Sequence, residues 1–153
     1  MTRVDFYILR STDARNRQLL ACRLTEKAYR LGHTVYLHTD SPAQSRAIDD
    51  LLWTFRAGSF VPHAIGGNEL EGRESPPVLL GHDSEPGRSR DVLINLSPEL
   101  PAKVERFERV VELIDQDESV RQAGRRRYRF YQENDYPLMT HKLDGRLGNP
   151  GVS

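Results

Sequence analysis

A chain of 153 residues with 22 basic and 22 acidic side chains has no net charge at neutral pH, which argues against a general affinity for nucleic acid or anionic lipid. At 37% hydrophobic and 29% charged it reads as one soluble globular domain with a single core, and its 11 glycines and nine prolines provide generous loops. A single cysteine, Cys22, excludes an internal disulfide and fits a reducing compartment; no apolar run approaches the ~20 residues that span a bilayer, and no signal peptide precedes the first strand, so the cytoplasm is the expected location.

Val4 to Leu9 (VDFYIL) is a short apolar run of strand formers and predicts a buried strand. Asp13 can cap a helix whose core residues Leu20, Leu24, Ala28 and Leu31 recur at helical spacing before Gly32 stops it. Thr34 to His38 predicts a second strand. Ser41-Pro42 opens a second helix, with Ala47, Leu51 and Leu52 facing the core. This β-α-β-α opening argues for an α/β domain with mostly parallel strands and helices on both faces.

The middle is looser: Gly58 to Arg90 holds six glycines and four prolines, and only Val78-Leu79-Leu80 reads as a strand there. Gly66 to Pro77 and His82 to Arg90 read as mobile loops. Asp91 to Leu96 (DVLINL) predicts a strand, Ser97-Pro98 the start of a short helix, and Phe107 to Ile114 (FERVVELI) a strand. Asp117 caps a last helix that runs to about Asn134 and ends before Tyr136-Pro137. The domain is expected over residues 1–143, with a disordered tail over 144–153.

Nucleotide-binding α/β domains commonly carry a glycine-rich turn after the first strand, whose backbone N–H groups approach phosphate closely. Here that turn, Arg10-Ser11-Thr12-Asp13-Ala14, has no glycine, and neither GxGxxG nor GxxxxGK[ST] occurs anywhere. The five histidines show no metal-ligand spacing. No cofactor, metal or catalytic group is therefore expected, and Asp49-Asp50 and Asp115/Asp117/Glu118 read as a solvated pair and a helix start.

The last helix carries the strongest signal. Arg121 to Tyr131 holds five arginines and three aromatics in eleven residues, without an acid. Arginine is planar, always charged, and forms paired hydrogen bonds with carboxylate and phosphate. At about 100° per residue, Arg121, Arg125, Tyr128, Arg129 and Gln132 share one face. Val120, Ala123, Gly124, Phe130 and Tyr131 form the opposite, core-facing side, and Arg127 falls inside that apolar sector without an explanation. Ile114, just ahead of the helix, can floor a small apolar pocket beside Tyr128. Three readings fit: a solvated face with cation–π contacts, a groove for a short acidic peptide with an apolar anchor, or direct contact with single-stranded nucleic acid through arginine and stacked rings. Net neutrality disfavours the last. A second patch, around Trp53, Phe55, Phe60, Val61, Pro62 and His63, has the composition either of helix-to-sheet packing or of a protein interface.

As an ordered set, Phe6-Tyr7-Ile8-Leu9, Asp50-Leu51-Leu52-Trp53, Ser59-Phe60-Val61-Pro62-His63, Arg90 to Leu96 (RDVLINL) and Arg125 to Tyr131 (RRRYRFY) resembles the chi subunit of bacterial DNA polymerase III holoenzyme, over roughly residues 3 to 140. The resemblance implies a non-catalytic accessory protein of the clamp-loader assembly, with a nucleotide-binding-like fold that lacks the phosphate loop. It implies that the acidic C-terminal tail of single-stranded DNA-binding protein is bound by Ile114, Arg121, Arg125, Tyr128 and Arg129. The tail's phenylalanine would enter the Ile114/Tyr128 pocket, its terminal carboxylate would meet Arg125, and Arg121 and Arg129 would face its aspartates. Gln132 departs from the family pattern, where a basic residue is common. The resemblance also implies contact with a psi subunit, where one exists, through Trp53, Phe60, Val61 and Pro62, and a repair helicase could share that patch.

Overall fold

A computed structural model of the chain describes residues 2–58, 60–66, 76–82, 91–100 and 104–143. Most of the two expected loops and the whole of the expected tail, 144–153, lie outside these residues. The order is β1 (Arg3–Ile8), α1 (Ala14–Arg30), β2 (Val35–His38), α2 (Pro42–Thr54), β3 (His63–Ile65), β4 (Val78–Gly81), β5 (Val92–Asn95), β6 (Arg109–Ile114), α3 (Glu118–Glu133) and β7 (Leu138–Lys142). Among the described residues the strands form one open parallel sheet of seven, ordered β3-β4-β2-β5-β6-β1-β7.

Local chemistry sets the helix limits. The Asp13 carboxylate accepts the Arg15 N–H at 2.9 Å, satisfying a donor that has no partner within α1, and Gly32 leaves the helix at φ 86°, a conformation a Cβ would strain. Ser41 Oγ accepts from Gln44 N at 3.1 Å with Pro42 in the first turn of α2. Asp117 Oδ1 accepts from Ser119 N at 3.0 Å and Val120 N at 3.2 Å to start α3. Leu31, expected in the core, is 66% exposed because the helix has already ended beneath it. No helix begins at Ser97-Pro98 among the described residues. Ser97 Oγ accepts from Glu99 N at 3.1 Å to make a turn, and one 3-10 turn, Val104–Arg106, follows.

Strand side chains alternate between two apolar layers. Val35, Leu37, Val92, Ile94, Val111 and Leu113 pack with α1 and α2, whereas Tyr36, Leu93, Val110, Phe6 and Ile114 pack under α3. Cys22 belongs to the first layer, and burial pushes its thiol up to about 12, so it is protonated at neutral pH.

β7 is absent from the sequence-based reading, which stops its elements at Pro137. Asp135 turns the chain at φ 60°, Pro137 O accepts the Val4 N–H at 2.9 Å, and Leu138–Lys142 then runs parallel to β1 at the sheet's edge. This strand is half open to solvent, so its LMTHK composition lacks the apolar run that marks the interior strands.

A cationic cleft between the third helix and the edge strand

The cleft begins with a close approach. A Cβ at Gly124 would lie 2.6 Å from Ile114 Cδ1, so the missing side chain is what lets α3 settle onto β6. Seated there, α3 leaves uncovered the part of the sheet made by β1 and β7. In register, Ile114, Ile8 and Lys142 form one row across three strands, and Phe6 and Thr140 form part of the next. The result is an open cleft of about 510 Å³ with these residues as floor and far wall, and Arg121, Gly124, Arg125 and Tyr128 as the α3 wall.

A buried polar clamp fixes the rotation of α3. Arg127 accounts for its place in the apolar sector by reaching Glu112, whose Oε1 accepts from Nε at 3.0 Å and lies 3.0 Å from one Nη, while the other Nη donates to Pro98 O at 2.8 Å. Glu112 is fully buried; it also accepts from the Tyr131 hydroxyl at 2.7 Å and from Asn95 Nδ2 at 3.3 Å. Burial next to Glu112 pushes the Tyr131 hydroxyl far above its ordinary range, so it remains a donor. Asn95 Oδ1 lies 3.0 Å from His38 Nδ1, and burial holds His38 below its ordinary pKa despite that bond, favouring the neutral ring. With Arg127 and Tyr131 committed inward, the helix period turns Arg121, Arg125 and Tyr128 toward the cleft.

Tyr128 is half-buried, edge-on to Phe6 with centroids 5.1 Å apart and planes at 67°. Arg121 is partly exposed, 3.5 Å from the Glu118 carboxylate. Arg125 is exposed, and no acid pairs with it among the described residues. Arg129 is exposed one turn further along and does not line the cleft, and Gln132 is also exposed. Phe130, expected in the core, is 40% exposed, with its ring against Tyr131 and Tyr136, because Ala123, Gly124, Arg127 and Tyr131 already fill the buried face. Phe6, Ile8, Gln116, Thr140 and Lys142 line the cleft without having been singled out; Phe6 and Ile8 follow from the alternation of the first strand, but Thr140 and Lys142 depend on the edge strand.

The aromatic patch sits on another part of the molecule. Trp53 and Phe60 are 53% and 64% exposed, with centroids 5.9 Å apart, and Pro62 is half-buried beside them. Val61, by contrast, is 1% exposed and packs with Leu51 and Leu52 in the α1/α2 layer, as does the half-buried Phe55, so this part of the patch is helix-to-sheet packing. His63 lies against Trp53, centroids 4.6 Å apart, with Nε2 3.2 Å from Asp49 and Nδ1 2.5 Å from Val61 O.

On the other face of the sheet, away from α3, buried Asp5 accepts from Arg109 Nε at 2.7 Å and from His141 Nε2 at 3.0 Å, with Arg3 at 3.3 Å. Burial alone would raise its carboxyl, but the hydrogen bonds from Arg109 and His141 outweigh burial and hold it below the usual range. A depressed folded-state pKa gives stability that is complete above the unfolded value and is lost as pH falls through the folded one. Between about pH 5 and 3, the unfolding free energy should therefore fall more steeply for the parent chain than for Asp5→Asn. Parallel slopes in urea titrations at both pH values would remove this assignment.

Residues 1–139 match the protein family described as DNA polymerase III chi subunit, HolC. The chain belongs to this chi family. It is 47% identical over 143 residues to the DNA polymerase III subunit chi of Pseudomonas aeruginosa, covering 94% of this chain and 98% of that one. It is 28% identical over 139 residues to the Haemophilus influenzae subunit chi, covering 91% and 96%, and 28% identical over 121 residues to that of Escherichia coli K12, covering 79% and 82%. Chi-family membership sets the chain in DNA replication, as a subunit type of polymerase III. The family match takes in α3 with its arginines and stops just before Thr140 and Lys142, so the far wall of the cleft lies beyond it.

Proposed function

We propose that this chi-family chain is a non-catalytic cytoplasmic accessory subunit that links the clamp-loader assembly of polymerase III to single-stranded DNA-binding protein, by gripping that protein's acidic C-terminal tail. The observation that carries the reading is an apolar floor of Ile114, Phe6 and Ile8 directly beside Tyr128, Arg121 and Arg125. A terminal phenylalanine ring would rest on that floor while its α-carboxylate meets Arg125, and upstream aspartates would face Arg121 and Arg129. Burying the ring contributes roughly 1.5–3 kcal/mol. Each exposed ion pair adds only about 0.2–1 kcal/mol. After the costs of association, affinity near the micromolar range follows. Trp53, Phe60 and Pro62, supported from beneath by Val61, form the face assigned to a psi subunit; paired exposed aromatics are typical interface anchors.

The test is a fluorescence titration with an acidic peptide ending in Asp-Phe. Arg125→Ala should weaken binding up to about fivefold, as loss of one exposed ion pair does, and amidating the peptide terminus should act similarly. Indifference to both changes, or tight salt-sensitive binding of a bare oligonucleotide in place of the peptide, would reject this site in favour of direct DNA binding.

A further inference from the structure

The face of the sheet away from α3 carries a separate cavity of about 490 Å³, at the amino ends of β1, β5 and β6 beside the second half of α1. Its apolar wall is Leu24, Ala28 and Leu31 of α1, with Tyr7 on the sheet side; Leu31 is 66% exposed. Its charges are sorted by strand. Arg3 and Arg109 are register partners on β1 and β6, and both reach the one carboxylate of Asp5, with Nε atoms 3.3 and 2.7 Å away. His141 reaches the same carboxylate from β7 at 3.0 Å. Arg109 also donates to the Tyr7 hydroxyl at 3.0 Å, which fixes the direction of its guanidinium, and Lys27 adds a third cation from α1. On the other side, Asp91 stands just before β5, accepts from Thr34 N at 2.9 Å and lies 3.7 Å from His33 Nδ1. Glu108, whose N donates to Asp91 O at 3.0 Å, lines the cavity next to it. From β1 to β5 is two strand spacings, about 10 Å. The cavity therefore has a cationic end, an acidic end and an apolar wall between them, in a volume typical of small-ligand clefts.

We infer that this cavity takes one nucleotide unit, with its phosphate on Arg3, Arg109 and Lys27, the amine-bearing edge of its base on Asp91 and Glu108, and its sugar against Ala28 and Leu31. Guanidinium groups make paired hydrogen bonds to phosphate, and carboxylates accept from the exocyclic amine of cytosine. A bare inorganic anion leaves the acidic end unmatched, and a base without phosphate leaves the cationic end unmatched. Uracil presents a carbonyl oxygen where cytosine has its amine, so it would face the carboxylate lone pairs. The inference is independent of the tail-binding reading: no residue lining this cavity lines the α3 cleft. It also needs no phosphate loop. Nucleotide-binding α/β domains hold phosphate with backbone N–H groups at the carboxyl ends of their strands, whereas here side chains hold it at the amino ends, so the missing glycines after β1 have no bearing. An unattached nucleoside monophosphate and the end of a DNA strand share this chemistry.

The experiment is an amide chemical-shift titration of the full chain with cytidine monophosphate, uridine monophosphate, cytidine and inorganic phosphate. Cytidine monophosphate should move the amides of Leu31 to Thr34 and of Asp91, and leave those of α3 in place. Uridine monophosphate should bind about fivefold more weakly or worse, for want of the amine. Cytidine, which lacks the anion, should bind severalfold more weakly. Arg3→Glu, at a side chain 60% exposed and so tolerant of change, should weaken cytidine monophosphate severalfold. Asp91→Asn should erase the preference for cytidine over uridine monophosphate. Glu108→Gln, at an exposed position, should reduce the same preference and covers the case in which the change at Asp91 disturbs the turn at Thr34. A DNA oligonucleotide that begins with a phosphorylated cytosine separates the two sources: shifts at the same amides assign the cavity to a strand end, and shifts with the mononucleotide alone assign it to an unattached nucleotide. The absence of shifts with cytidine monophosphate, equal binding of the two mononucleotides, inorganic phosphate reproducing the whole effect, or indifference to Arg3→Glu would each overturn the inference and leave the α3 cleft untouched.

Discussion

Arg127→Met should destabilise the fold by about 3–5 kcal/mol, the range for breaking a buried ion pair from one side. Glu112 is fully buried, and Arg127 supplies one hydrogen bond from Nε and a second guanidinium contact at 3.0 Å that hold its charge. Methionine fills similar space but leaves a carboxylate inside the apolar layer under α3, with only Tyr131 and Asn95 as donors. For a chain of this length the loss corresponds to a fall of roughly 6–20 °C in Tm. The double variant Arg127→Met with Glu112→Met should recover part of it, since no unpaired charge then remains, although the Tyr131 hydroxyl and Asn95 lose their acceptor. Urea unfolding monitored by far-UV circular dichroism decides the matter: a loss under 1 kcal/mol for the single variant, or no recovery in the double, would mean that the pair does not hold α3 in place.

Phe6→Ala should be comparably severe, about 3–5 kcal/mol as for other buried phenylalanines, and it should also disable the cleft. Phe6 is 3% exposed, meets Tyr128 and Tyr131 edge-on with centroids at 5.1 and 5.9 Å, and still forms part of the cleft floor. Phe6→Leu separates the two roles. It keeps most of the apolar volume and should cost under about 1.5 kcal/mol. It removes the edge-to-face contact that holds Tyr128, worth about 0.5–1.5 kcal/mol, and so should weaken the acidic peptide severalfold in a chain that is still folded. Unchanged peptide affinity in Phe6→Leu would show that Tyr128 is positioned by other contacts.

The parallel α/β character was legible in the sequence because each interior strand is buried on both faces and reads as a short apolar run. VDFYIL and DVLINL are recognisable on that ground alone. The helix caps Asp13, Ser41 and Asp117 were legible because capping is a contact within three residues. The cationic face of α3 was legible because helical spacing is fixed. Arg127 and Phe130 were not: Arg127 lies inside the apolar sector, where spacing alone calls for an apolar side chain, and Phe130 lies at its edge. Which of them turns inward depends on Glu112, fifteen residues earlier on another strand. Val61 reads as part of an exposed run until the α1/α2 layer takes it in.

By itself, then, the sequence determined the three helices and the interior strands, the alternation that makes their sheet parallel, and the charge of one helix face, all of which arise from spacing along the chain. The tertiary structure alone decided that the charged face stands over a trough rather than over open solvent. Three long-range events make the trough: Gly124 lets α3 sit down on Ile114, Glu112 locks its rotation through Arg127 and Tyr131, and β7 returns beside β1 to raise Lys142 as the opposite wall. Each joins residues far apart in the chain, and the free energy that selects it comes from packing and buried hydrogen bonding, which leave no period or motif in the residues themselves.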